Sequence, residues 1–430
     1  MTAEILVGQT VSFTADPFAD GPAAARIDTR GGVLIENGLI SALGSPDDLR
    51  ARAPHATVTD YGSCAILPGF VDAHVHYPQT AIIASWGKRL IDWLNTYTFP
   101  EEIRLSDPVY AKEIAERYFE LTLSNGTTTV ASFCTVSPAS VTAFFEAAER
   151  LGLRAVGGKT CMDRNAPDAL LDTPQSAYDD SKALLETWHG RGRLSYAVTP
   201  RFSPTSTREQ LDALGALWAE FPECPMQTHL SEQTDEIAWV ADLFPEARDY
   251  LDTYERAGLL GPGGLYGHAI HLTDREREAL KDAGGALVHC PTSNTFIGSG
   301  LFDTGRAKAE GQIVGLATDT GGGSSFSMLR TMAAAYEIGQ LSHRALHPSE
   351  LLWLATAGSA DALRLGDRIG RLLPGYEADL VIIDLASTPA ISQRAAKADD
   401  FWEAVFPTIM MGDDRAIRDV RVMGRAAKPA

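Results

Sequence analysis

The feature that most constrains this chain is an eightfold alternation along its middle. Short apolar runs at Phe70–His76, Thr127–Cys134, Arg154–Cys161, Leu194–Phe202, Pro225–Glu232, Gly264–Leu272, Gly285–Ser293 and Ile313–Thr320 read as buried strands. Amphipathic stretches lie between them, among them Val141–Leu151, Asp179–Trp188, Arg208–Glu220 and Asp274–Ala283. Strands alternating with helices call for parallel pairing with crossover connections, and eight repeats predict an α/β fold of the (β/α)8 TIM-like barrel type. Catalytic groups of such barrels sit at the C-terminal ends of the strands. The longest connection, Pro78–Asp107, carries Trp86, Trp93, Tyr97 and Phe99 and is a candidate lid.

Both ends of the chain read as β-rich. From Ile5 to Tyr61, short apolar stretches are broken by glycines, and Asn37-Gly38 has the chemistry of a tight hairpin turn. Ala378–Asp384 and Ala416–Met423 read as strands near the other end. A few strands from one terminus make an unstable sheet alone, so the two ends are expected to pair. The expected organisation is a small β-sandwich domain built from residues 1–64 and 369–430 around a barrel at 65–368.

Composition narrows the partners. Lys+Arg 37 against Asp+Glu 56 gives a net charge of −19, which repels a phosphate backbone and an anionic membrane, so neither nucleic acid nor membrane is expected. No apolar run reaches the roughly 18 to 20 residues of a bilayer span, and no Lys or Arg occurs in the first 25 residues, so a cytoplasmic chain is expected. The five cysteines are scattered and read as reduced core residues; without Cys-x-x-Cys, the zinc deaminases that act on nucleic acids are excluded.

The strand ends hold the chemistry. Asp72-Ala73-His74-Val75-His76 places two imidazoles on one strand face. Later strands end in His229-Leu230-Ser231-Glu232, Gly267-His268-Ala269-Ile270-His271 and Thr318-Asp319-Thr320. Imidazoles with one carboxylate suit zinc or ferrous iron better than magnesium or calcium, so one divalent metal is expected, with His74, His76, His229, His268 and Asp319 as ligands. Glu232 is the expected acid/base, and Asp319 is expected to serve both metal and proton transfer. Glu236 reads as a solvated carboxylate, His271 as a core or supporting histidine, and His289 as a residue within reach of the site. His55, His189, His343 and His347 have no expected role there. The strand Leu194–Phe202 ends without a lysine that could bridge two metals, which favours one ion and leaves Arg201 for substrate.

These residues, with Pro68-Gly69-Phe70-Val71-Asp72-Ala73-His74-Val75-His76 and Pro374-Gly375-Tyr376-Glu377-Ala378-Asp379-Leu380, resemble the amidohydrolase superfamily. A narrower resemblance, to the guanine deaminases, rests on His76-Tyr77-Pro78-Gln79-Thr80, Asp92-Trp93-Leu94, Tyr97-Thr98-Phe99-Pro100-Glu101, Met162-Asp163-Arg164-Asn165-Ala166-Pro167, Thr199-Pro200-Arg201-Phe202 and His289-Cys290-Pro291-Thr292-Ser293-Asn294. It implies hydrolysis of guanine, with water, to xanthine and ammonia by a zinc-bound hydroxide. It also implies Gln79 and Arg201 on the purine edge, Phe202 beside the ring, and His229 and Asp319 at the substrate. Glu232 would protonate N3, Asp319 would deliver a proton to the amine, and homodimers would be usual. The alternatives are a related aminohydrolase acting on another nucleobase, a nucleoside or an s-triazine, and, from another class, a silent scaffold barrel.

Overall fold

The computed structural model describes residues 3–86 and 89–429. Contacts divide the chain into two units, one of Met1–Asp72, Glu120–Thr129 and Phe326–Ala430, the other of Ala73–Phe119 and Val130–Ser325. The fold is mixed α/β.

Strands β1 (Ala3–Phe13), β2 (Ala25–Glu36), β3 (Leu39–Gly44) and β4 (Thr57–Pro68) open the first unit. The expected turn lies between β2 and β3: Glu36 pairs with Leu39, and Asn37 and Gly38 have φ of 53° and 85°. Two successive left-handed residues make the tight turn whose twist matches that of the flanking strands.

In the second run of strands, every stretch read from the sequence has a counterpart. They are β5 (Phe70–His76), β6 (Thr127–Phe133), β7 (Arg154–Gly158) with β8 (Thr160–Cys161), β9 (Leu194–Tyr196) with β10 (Thr199–Pro200), β11 (Met226–Leu230), β12 (Gly264–His268), β13 (Ala286–His289) and β14 (Ile313–Leu316). The hydrogen-bonded orders are β5-β6-β7-β9, β10-β8 and β11-β12-β13-β14. The expected closed ring is not formed as a continuous ladder. A single bridge, Val198 to Met226, links the β9–β10 segment to β11. At the other edge, the Asp319 amide donates to the His74 carbonyl at 3.0 Å and the His76 amide to Thr320 at 3.1 Å.

Strands β11, β12 and β14 stop short of their apolar runs, and the chain after them leaves the extended conformation. Ser231, His268, Ala269 and Asp319 have φ between 48° and 65°, a left-handed backbone that cannot continue a strand. After β13, Pro291 starts the helix Pro291–Phe296. The helices expected at Arg208–Glu220 and Asp274–Ala283 have those bounds. The other two begin a turn earlier, at Pro138 and Pro174, because Ser137 and Thr173 cap them and a proline occupies the first turn.

Strands β15 (Leu380–Ile383), β16 (Ile417–Val422) and β17 (Arg425–Ala426) complete the first unit. The termini do pair, but into one seven-stranded mixed sheet, β17-β16-β15-β4-β1-β2-β3, where a sandwich of facing sheets was expected. Alternation along β1 buries both faces: Leu6 packs with Val33, Ile66, Leu380 and Ile382, while Ile5 and Val7 pack with Leu34 and Leu49. Among the described residues, all five cysteines are free and no helix is long and apolar enough to cross a membrane.

The Gly38 turn is a direct test of this sheet. A Cβ at Gly38 would lie 2.9 Å from the Met423 Cε and would hold a positive φ. Gly38→Val is expected to lower stability by about 1–2 kcal/mol, read as a shifted denaturation midpoint with unchanged slope.

Candidate active site

The strand ends of the second unit bring the expected residues together. His74 and His76 leave β5 on one face, with ring centroids 5.2 Å apart. The His76 Nε2 lies 3.0 Å from the His229 Nε2. Asp319 Oδ1 is 3.5 Å from Nε2 of both His74 and His76, and its Oδ2 is 3.8 Å from the His268 Nε2. All five residues are buried. Gly267 on β12 makes this packing feasible, because a Cβ there would stand 2.7 Å from the His74 ring.

The ring orientations are set from behind. His229 Nδ1 is 2.7 Å from the Arg201 carbonyl, an acceptor, so this nitrogen carries the proton and Nε2 turns a lone pair to the centre. His268 Nδ1 is held in the same way at 2.9 Å from the Asn294 Oδ1. Burial and the neighbouring imidazoles hold His74, His76 and His229 well below the usual histidine range. Burial acts on His268 in the same direction, but the Glu232 and Asp319 carboxylates outweigh it and raise that imidazole. Burial pushes the Asp319 carboxyl up to about 6.

This donor set fits a cation. Nε2 of His74 and Oδ1 of Asp319 are buried without a hydrogen bond, a cost a protein seldom carries unless something else satisfies them. The donor separations of 3.0 and 3.5 Å are short enough for these groups to share one divalent ion. Cys290, read from the sequence as core, also brings its sulfur within 4.8 Å of the donor atoms of His74, His268 and Asp319. Only its position beside His289 at a strand end pointed there.

Two carboxylates flank the cluster. Glu232 Oε2 lies 3.5 Å from the His268 Nε2, and its Oε1 accepts a hydrogen bond from the Ser299 hydroxyl at 2.7 Å. His271 donates to the Ser299 carbonyl at 2.8 Å, which makes it a supporting residue, as expected. Glu236 corrects the reading of a solvated carboxylate. It is buried, accepts from the Glu232 and Gln233 amides at 2.9 and 3.0 Å and from Tyr250 at 2.7 Å, and burial raises it to about 7. It fixes the backbone that carries Glu232.

A cavity partly open to solvent is lined by His76, His229, Glu232, His268 and Asp319 together with Gln79, Arg201, Phe202, Trp93, Leu90, Leu94, Ile297 and Gly322. Arg201 Nη1 donates to both oxygens of Glu102 at 2.8 and 3.1 Å, and Gln79 Nε2 donates to Glu102 at 2.8 Å. Glu102 is 1% exposed and was missed in the sequence, where the adjacent Glu101 looks the same. The expected lid is helical: Leu90–Trp93, Leu94–Thr98 and Phe99–Arg104 pack Trp93, Leu94 and Phe99 against Phe202, Met162 and Ile297. Trp86 stands apart, 88% exposed, and residues 87 and 88 of that candidate lid lie outside the described residues. His289 is buried and stacks on Phe302 with centroids 4.7 Å apart; it does not line the cavity.

The sequence matches the amidohydrolase family over residues 65–426, and the chain belongs to that family. A bacterial imidazolonepropionase-like composite domain also matches over 31–56. Among its relatives, the guanine deaminase of Escherichia coli K12 is 42% identical over 96% of this chain and 95% of its own. The solved E. coli guanine deaminase superposes with a TM-score of 0.96 at 41% identity, covering 98% of this chain and 99% of the other. The guanine deaminase of C. acetobutylicum, solved with guanine bound in its active site, has a TM-score of 0.89 at 29% identity over 99% of this chain and 100% of the other.

The Arg201–Glu102 pair is buried on both sides, so removing one partner strands a charge. Arg201→Met is expected to cost about 3–5 kcal/mol in denaturant unfolding, and adding Glu102→Leu should recover most of that loss.

Proposed function

We propose that this chain hydrolyses guanine to xanthine and ammonia with one divalent metal, and that the metal is zinc. The observation that carries the reading is one cavity lined both by the imidazole–carboxylate cluster and by the Gln79 and Arg201 side chains. The E. coli and C. acetobutylicum guanine deaminases support the substrate. His74, His76, His229, His268 and Asp319 would hold the ion. When bound, such an ion supplies Lewis acidity and lowers the pKa of its water to near 7.

The chain's own groups then account for the proton movements. Addition of water to C2 makes that carbon tetrahedral and places negative charge on the ring unless N3 is protonated. Glu232, with Oε1 tied to Ser299, has Oε2 left to give that proton. Asp319 takes a proton from the attacking water and delivers it to the departing amine, since ammonia leaves far better than amide ion. The Glu232 and Asp319 carboxylates both lie beside the His268 Nε2, at 3.5 and 3.8 Å, so the two acid/base groups face the same centre. Gln79 and Arg201 bind the purine edge and its oxygen, and Phe202 packs beside the ring.

The same reading extends to the architecture. The runs β5-β6-β7-β9 and β11-β12-β13-β14 are two arcs of one (β/α)8 barrel, carried by residues 65–368. The bridge at Val198 and the bonds from Asp319 and His76, between the ends of these runs, support that reading.

Glu232→Gln is expected to retain the metal and to lower ammonia release from guanine by about 10²–10⁴-fold, a typical share for a general acid. Turnover near that of the parent would remove Glu232 from the mechanism. Chelation should abolish turnover, and added zinc should restore it together with one ion per chain by elemental analysis.

A further inference from the structure

The cavity wall carries a polarity that follows from valence alone. Glu102 is a buried carboxylate whose oxygens only accept, and it takes hydrogen bonds from Gln79 and from the Arg201 Nη1. The Gln79 amide must therefore turn its nitrogen toward Glu102 and its carbonyl oxygen away. That oxygen is buried and has no partner. Gly321 leaves room for it, since a Cβ at that glycine would stand 2.0 Å from the Gln79 Oε1. Arg201 spends only Nη1 on Glu102, so among the described residues its Nε and Nη2 are unclaimed by side chains. The wall thus offers one fixed acceptor and one fixed donor, with the charges of Arg201 and Glu102 cancelling.

We propose that Glu102 is the positioning residue that sets purine specificity: by orienting Gln79 beside Arg201 it selects a 6-oxopurine edge over a 6-aminopurine edge. This rests on the guanine reading above. A 6-oxopurine presents an N1–H donor next to a C6 carbonyl acceptor, matching the Gln79 oxygen and the Arg201 guanidinium. A 6-aminopurine presents an N1 acceptor next to an amino donor, so both contacts are reversed and four buried polar groups lose their partners. Sites built on such hydrogen bonds reject the mismatched ligand strongly, whereas apolar pockets discriminate weakly. In Glu102→Gln the new amide can donate to the Gln79 oxygen, Gln79 is free to turn, and the code is lost.

The test uses hypoxanthine and adenine, which lack the 2-amino group and report the edge alone. Their dissociation constants are measured by calorimetry on the zinc-loaded protein, with ammonia release from guanine measured in parallel. The parent is expected to bind hypoxanthine at least about 100-fold more tightly than adenine. Glu102→Gln should shrink that ratio to below about tenfold while keeping its metal, and Glu102→Asp, which preserves the acceptor, should keep the preference. A merely structural role for Glu102 would weaken both ligands together and leave the ratio unchanged. The proposal is overturned if the parent shows no preference, if folded Glu102→Gln retains it, or, where that variant does not fold, if folded Glu102→Asp loses it. A parent that prefers hypoxanthine yet releases no ammonia from guanine would sink the guanine reading and leave the polarity of the wall standing.

Discussion

The site depends on an arrangement that would be unfavourable in isolation: four imidazoles and a carboxylate buried within a few ångström of one another. Lone pairs packed against lone pairs in a low-dielectric interior repel and go unsatisfied. Two of the rings are held from behind, His229 by the Arg201 carbonyl and His268 by Asn294, so they cannot rotate to better local partners. A cation in the centre converts the cost into binding energy, which is why the neutral state of three of these histidines matters: imidazolium cannot be a ligand.

The same logic explains the backbone. His268 and Asp319 have φ of 65° and 49°, conformations that cost on the order of 1–2 kcal/mol for residues with a side chain. A strand ending in ordinary geometry would throw alternate side chains to opposite faces. The left-handed residues, one at the end of β12 and one three residues beyond β14, turn the chain where the side chains must face Glu232 and the β5 histidines.

The strands, their order along the chain and the residues at their ends were legible because buried parallel strands are short apolar runs and because two histidines two apart share a face. What could not be read lies in contacts between distant segments. Glu102 is indistinguishable in sequence from Glu101, yet one is clamped between Gln79 and Arg201 and the other bonds Arg104 and Tyr110. Glu236 looked solvated because charge predicts exposure on average. Its burial follows from capping the amides of Glu232 and Gln233, a partner choice that appears only once Ser231 has turned the chain. The terminal sheet misled for a related reason: strands buried on both faces carry no polar alternation, so one sheet and two facing sheets look alike along the chain.

The two networks of the cavity divide its labour by charge. At the metal side the chain supplies neutral rings and one carboxylate, a set that needs a cation to complete it. On the other wall, Arg201 and Glu102 cancel each other, so that side presents direction without net charge. A ligand suited to both is neutral, planar and polar at its edges, and it gains nothing from long-range attraction. The chain's net charge of −19 is then no obstacle to its encounter, because a neutral purine is neither steered nor repelled by that field. Discrimination must come at short range, from the hydrogen-bond pattern of the wall, and a pattern of that kind is rigid only while Glu102 stays buried between its two donors.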